Sequence, residues 1–467
     1  MQFTHRFLGR CLALLVVIVL AAGCSFARRG VQRLAAGHLA DTATSYNLAI
    51  EQTQDEMLLL NVIRAQDNYP LFLTDASKVT GTVKADISLG LKIPLVHAGS
   101  ANGNDYFGTP SLDYSSSPSM DVNLLNAKDF MTGFLTPIRN ELFAYYWDQD
   151  WDAEFLLYLL VHRVDVYAEG AKPTDPPTFI RSLYNYPNEH DANQTALRDF
   201  SEWVHALVCD GRPLLCSINA EGSAIGPSLD REQLELLKFL VPVAKEGLSL
   251  EPAGTSGATI EGKWQLRQPK RAFFLVPQGP AHAHTCPTAI PPPETHANSA
   301  PDDKNAPHDF RRQTVIIRGG PGGQRYELTL RSPEGLLYYL GELARLENHA
   351  DPARALMIHL GDYSDCTKGP ELPVAPLFVA LDREQHSECQ PIIWVRSLDG
   401  SDYLIPKGKP LDPKNVTSMG ELHLANVAGL CTTGETMHAL ELLSQLIGLQ
   451  KTAKDFSTTS TVKVVGQ

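Results

Sequence analysis

The chain reads as an α+β protein, and three observations predict it. Residues 41–65 and 152–167 carry apolar side chains at helical spacing, residues 79–95 and 112–124 alternate apolar and polar with a period of two, and residues 279–310 hold seven prolines and four histidines with scarcely an aliphatic pair. The expected architecture is a helical N-terminal half bearing a long amphipathic β-hairpin, a Pro-rich linker, and a small C-terminal antiparallel sheet with packed helices.

The first segment sets the compartment. Arg6 and Arg10 precede an apolar run from Cys11 to Ala22, followed by Gly23, Cys24 and Ser25, the order of a secretory signal that ends in a lipidation cysteine. The run is too short to span a bilayer, whose core needs about 20 helical residues. Residues 1–23 are therefore expected to leave as a signal peptide. Cys24 would then become an acylated, palmitate-bearing N-terminus, with residues 24–40 as a tether. The pattern resembles the bacterial lipoprotein signal with one departure. Ala21 stands where the large aliphatic is usual, and Leu20 sits one place early. An ordinary secretory signal is the alternative.

Composition narrows the function classes. With 467 residues, 43% of them hydrophobic, two or three domains can each bury a core. A formal net charge of −13 gives no counterion-release drive toward nucleic acid, which is set aside as a partner. Arg28, Arg29 and Arg33 are too few for a polybasic membrane patch. Of eight cysteines, six remain beyond Cys11 and Cys24, and in an oxidising compartment disulfides are the default. Cys209 and Cys216 enclose a turn-forming Asp-Gly-Arg-Pro stretch, so a local bridge worth about 2.5 kcal/mol is expected there. Cys286, Cys366, Cys389 and Cys431 leave three pairings open.

A helical domain with the hairpin at 79–124 is expected over residues 41–278. In its first helix Tyr46, Ile50, Met57 and Leu60 share a face, until Asn68-Tyr-Pro70 stops it. The hairpin is the most unusual stretch. Its odd positions from Val79 to Leu95 are apolar or small, its even ones mostly polar, and the register repeats after a Gly/Asn/Ser loop. A first strand of that extent would run about 56 Å, far beyond ordinary strands. Either it joins copies of the chain into a closed assembly, or it bends, at Gly90 and Pro118, over a soluble core. Helices follow at 140–147 and 152–167, the latter capped by Asp152, then near 192–208 and 230–246, with strand-like runs at 263–267 and 271–276.

The Pro/His-rich residues 279–310 are expected to be a linker and a domain boundary. Beyond it, an α+β domain over 311–467 opens with a hairpin around Gly319-Gly-Pro-Gly-Gly323. Ser332-Pro-Glu then starts a helix. Strands are expected at 377–381 and 392–396, with a partner reached through Asp399-Gly400. Thr432-Thr-Gly-Glu435 reads as a capping box for a last helix.

The stretches Leu58-Leu-Leu-Asn-Val-Ile-Arg64, Leu135-Thr-Pro137, Arg331-Ser-Pro-Glu-Gly335 and Tyr339-Leu-Gly341 resemble a family of uncharacterised proteobacterial lipoproteins. These motifs are structural rather than chemical, so the resemblance carries over only the lipidation cysteine, Cys24.

No catalytic signature is present. Trp147-Asp-Gln-Asp-Trp-Asp-Ala-Glu154 tempts a calcium reading, but glycine and glutamate are missing where a calcium loop needs them; helix capping accounts for the acids better. His282, His284, Cys286 and His296 are ligand types for zinc or copper, yet a Pro-rich segment does not preorganise them, and no metal or cofactor is expected. The glycine run at 319–323 lacks the lysine of a phosphate loop, and His162 reads as a core histidine on a helix. The expectation is a lipid-anchored, non-enzymatic structural or assembly protein of the cell envelope, self-associating through residues 79–124. Membrane lipid, through acylated Cys24, is the expected partner. Ser25 after the cysteine resembles the outer-membrane, periplasm-facing sorting case. The rival reading is a periplasmic hydrolase or ligand-binding lipoprotein with a site between the two halves.

Overall fold

The computed structural model describes residues 44–88, 111–168, 177–187, 194–209, 211–220, 224–230, 249–255, 258–267, 270–278, 286, 314–317, 323–349, 354–360, 374–408, 424–426, 431–451 and 462–465. The proposed signal, tether and lipidation cysteine, the helix at 230–246 and most of the Pro/His-rich segment lie outside these residues. The chain divides into two compact units, one of residues 1–57, 74–124 and 458–467, the other of 58–73 and 125–457. Among the described residues no helix is long and apolar enough to cross a membrane.

The first unit contains the hairpin. Strand β1 (Thr74–Ser88) pairs antiparallel with β2 (Ser111–Leu124), in a ladder from Thr74 opposite Leu124 to Ser88 opposite Ser111 with one bulge between Ala76 and Lys78. The register places Val79 opposite Met120, Ala85 opposite Tyr114 and Ile87 opposite Leu112. The alternating apolar positions of both strands thus fall on one face. β1 begins at Thr74, earlier than its alternation suggests, and 89–95 lie outside the described residues. A third strand, Val462–Val465, joins β2 from the far end of the chain.

The second unit is built around a helix with no exposed side. After helix α1 (44–66) come α2 (Lys128–Leu135), α3 (Asn140–Asp148) and α4 (Ala153–Leu160). Every residue of α4 is buried, Glu154 included. In the same core lie Leu59, Val62 and Ile63 of α1, Phe130 and Phe134 of α2, Phe143 of α3, and Phe200 and Val204 of α5 (Thr195–Val208). Helices α6 (Pro333–Asn348) and α7 (Thr436–Gln450) complete the shell.

The expected long helix 152–167 ends at Leu160, and β3 (Val161–Ala168) begins at the next residue. Two causes act together. Val161, Val164 and Val166 are β-branched and favour strand, and Arg331 donates to the carbonyls of Tyr158, Leu159 and Val161, which a longer helix would need for its own ladder. His162 therefore sits exposed on a strand, not in a helical core.

Next come β4 (Thr178–Tyr184), β5 (Leu214–Ala220), β6 (Ala224–Leu229), β7 (Ser249–Thr255), β8 (Ala258–Arg267) and β9 (Lys270–Val276). β10 (Thr314–Ile317) and β11 (Arg325–Leu330) follow the Pro-rich segment. Five of these strands with β3 make one sheet in the order β4-β3-β11-β10-β9-β5, and β6-β8-β7 make a second. The large sheet corrects the expected domain boundary at 279–310. β9 before the segment pairs parallel with β10 after it, so both flanks share one sheet and one core. Among the described residues, 41–278 holds strands β1 to β9 beside helices α1 to α5. β10 and β11 form the expected hairpin, with Gly323 at φ +69°.

The C-terminal strands are β12 (Arg354–His359), β13 (Val374–Pro376), β14 (Leu381–Asp382), β15 (Pro391–Arg396), β16 (Asp402–Pro406) and β17 (Leu424–Asn426), with Val462–Val465 as β18. β12 to β17 form two small sheets, β13-β12-β17 and β14-β16-β15, instead of one, and β18 belongs with β1 and β2. The run 377–381 is strand only at Leu381. Its backbone is held by side chains: Val379 N–H donates to Thr436 Oγ1, and Ala380 N–H to the Glu347 carboxylate at 2.9 Å. Ser332 caps α6 as expected, accepting from Gly335 N–H at 3.0 Å. The capping box at α7 does not form. Gly434 turns at φ +54°, and Glu435 takes the N-cap position without a side-chain capping bond.

Disulfides join Cys216 to Cys286 and Cys389 to Cys431. The expected Cys209–Cys216 bridge is thereby corrected. Cys216 lies on β5 with its Cα 5.5 Å from that of Cys286, whereas Cys209 closes α5 and is disulfide-bonded to a partner outside the described residues.

Candidate functional site

The N-terminal end of α4 carries two groups of polar side chains within the second unit. Asp150 turns the chain at φ +58°, a conformation that aspartate tolerates, and Asp152 then caps α4 by accepting from Phe155 N–H at 2.9 Å. The acids read as helix capping thus begin the helix as expected. Between them Trp151 stacks on Phe155 at 5.7 Å and meets the edges of Tyr146 at 5.9 Å and His438 at 6.3 Å.

Trp151 and His438 lie in a groove of about 400 Å³ whose remaining walls include Asp150, Asp152, Glu435 and Glu441. One side comes from the α3–α4 turn, the other from the first turns of α7. His438 Nδ1 lies 2.5 Å from Glu435 Oε2, on an exposed ring. An aromatic floor under several carboxylates attracts cations. No serine, cysteine or lysine lines the groove; its ionisable side chains are carboxylates and His438.

The second group is buried. Glu154 Oε2 lies 3.3 Å from His359 N and 3.4 Å from His359 Nδ1. The His205 ring of α5 lies 5.9 Å from that of His359, and its Nε2 is 4.0 Å from Cys209 Sγ. Burial pushes the Glu154 carboxyl above the usual range and Asp152 adds to this, while His359 pulls it back down. The His205 imidazole is held down by burial and then by His359. Glu154 is wholly buried and His359 nearly so, while His205 is half-buried, so the cluster ties α4, α5 and β12 together.

The metal candidates are not assembled. Cys286 is oxidised to a disulfide with Cys216 and offers no thiolate, while His282, His284 and His296 lie outside the described residues. His386, Glu388 and Cys389 are gathered within 4.8 Å, but Cys389 is likewise bonded to Cys431. Cys24 also lies outside the described residues.

Sequence reasoning read Asp152 and Glu435 separately, as caps, and did not bring them to one groove. They stand far apart in the chain, and only the packing of α7 beside the α3–α4 turn joins them. Chemically the groove is an acidic surface beside an aromatic ring, and the buried cluster joins α4 to β12. No protein-family model, curated protein or solved structure matches the chain.

Proposed function

We propose that this is a lipid-anchored structural or assembly protein of the bacterial cell envelope, held at the outer membrane by acyl chains on Cys24, facing the periplasm, and self-associating through residues 79–124. The single observation that carries the reading is the ladder between β1 and β2, long strands in a register that keeps alternating apolar positions on one face. The hairpin belongs to a compact unit of its own with the C-terminal strand Val462–Val465. The lipid anchor rests on the order Arg6, Arg10, apolar run, Gly23-Cys24.

The alternative, a ligand-binding or hydrolytic lipoprotein, draws on the groove beside Trp151, whose walls come from both sides of residues 279–310. Fractionation with intact-mass analysis tests the anchor. The wild-type chain is expected in the membrane fraction with an acylated Cys24, and Cys24→Ser in the soluble fraction. An unmodified, freely diffusing wild-type chain would contradict the reading.

A further inference from the structure

We propose that β1 pairs with β1 of a second copy, antiparallel about Thr82, so that two three-stranded sheets become one. This rests on the self-association argued above and names its edge, partner and register.

Among the described residues the sheet has the order β1-β2-β18, so β1 is one edge. The opposite side is poorly suited to pairing. β18 is only Val462–Val465, and its ladder on β2 stops at Ser119, one residue short of Pro118, which has no N–H to donate. β1 is 15 residues long and holds no proline. Natural edges are usually short, bulged or broken by proline. Within Thr74–Ser88 the one such device among the described residues is the bulge at the start, between Ala76 and Lys78.

Charge complementarity selects the occupant and the register. In two-fold antiparallel pairing about Thr82, Lys78 stands opposite Asp86 of the second copy, and symmetry makes this pair twice. Val79 then stands opposite Ala85, Gly81 opposite Val83 and Thr82 opposite itself, so the apolar face continues unbroken across the junction. Centring on Gly81 instead puts Lys78 opposite Lys84, a repulsive pair. Centring on Val83 makes no charge pair. Centring on Ala85 pairs Lys84 with Asp86 but engages only the end of the strand. A centre between residues sets polar positions opposite apolar ones.

The test uses the full-length chain extracted in detergent. Thr82→Cys is expected to give a covalent dimer on mild oxidation that reverts on reduction, while Lys463→Cys on β18 remains monomeric on a non-reducing gel. In the Thr82→Cys background, Lys78→Asp is expected to lower the dimer yield about fivefold, and adding Asp86→Lys to restore it. Lys78 also stands opposite Asp121 in its own hairpin; restoration by the swapped pair, which leaves that position as Asp, assigns the loss to the contact between copies. If Lys463→Cys cross-links and Thr82→Cys does not, while the particle mass stays above that of a monomer, β1 pairing is wrong and self-association stands. Monomer mass throughout overturns both.

Discussion

The guanidinium of Arg331 lies 3.8 Å from the centre of the Tyr339 ring. From there it donates to the carbonyls of Tyr158, Leu159, Val161 and Asn185. Among the described residues no carboxylate pairs with it. Main-chain dipoles and an aromatic face replace the usual counterion, and burial lowers its pKa to about 10, which leaves it charged at neutral pH. One side chain thus ends α4, starts β3 and fixes the segment at Asn185.

Arg331→Met is expected to lower stability by about 2–4 kcal/mol, because carbonyls of the α4 terminus lose their donor in a buried place. Asn185 Nδ2 still reaches Tyr158 O and Val161 O and limits the loss. Arg331→Lys should fall between. Urea unfolding followed by tryptophan fluorescence checks the order; a Met variant as stable as wild type would remove Arg331 as the terminator of α4.

Glu347 should make stability fall as pH rises. Burial raises its carboxyl well above the ordinary value, opposed by the Ala380 N–H bond. Above the ordinary carboxylate value of 4.5 the unfolded chain releases this proton and the folded chain keeps it. The slope from this group is therefore about −1.4 kcal/mol per pH unit until the folded group ionises. Glu347→Gln removes that slope. The difference between wild-type and Gln unfolding free energies at pH 5, 6 and 7 isolates it, and parallel curves would show that Glu347 is already ionised.

Gly341 lets α6 approach α1. A Cβ there would lie 2.6 Å from Gln66 N and 3.0 Å from Val62 O, both backbone atoms. Gly341→Ala is expected to cost about 1–3 kcal/mol. Gly448→Ala on α7, where a Cβ meets nothing within 4 Å, should be neutral or add up to about 1 kcal/mol. Thermal melts of the two variants should move in opposite directions or differ by several degrees.

The disulfides give a direct chemical check. Non-reducing peptide mapping is expected to recover Cys216 with Cys286 and Cys389 with Cys431. Cys216→Ser should cost about 4 kcal/mol, since the bridge spans 70 residues. A peptide joining Cys209 to Cys216 would contradict the fold around β5.

The hairpin was legible because its period of two needs no tertiary information. So were α3, the Asp152 and Ser332 caps and the β10–β11 turn, which are set by neighbours in sequence. The break at Leu160 was not, because an apolar run buried on every side carries no period, and the group that ends it is Arg331. The same holds for the run 377–381, whose backbone partners Glu347 and Thr436 come from two helices. Proline content at 279–310 suggested a boundary, but pairing between β9 and β10 is a long-range fact. The groove beside Trp151 was illegible for that reason too.

Mass photometry of the detergent-extracted full-length chain, beside a variant lacking residues 79–124, tests the assembly reading most directly. The intact chain is expected as a discrete particle of two or more copies of 51.2 kDa, before correction for processing and lipid, and the variant as a folded monomer. Identical monomeric masses for both would contradict it.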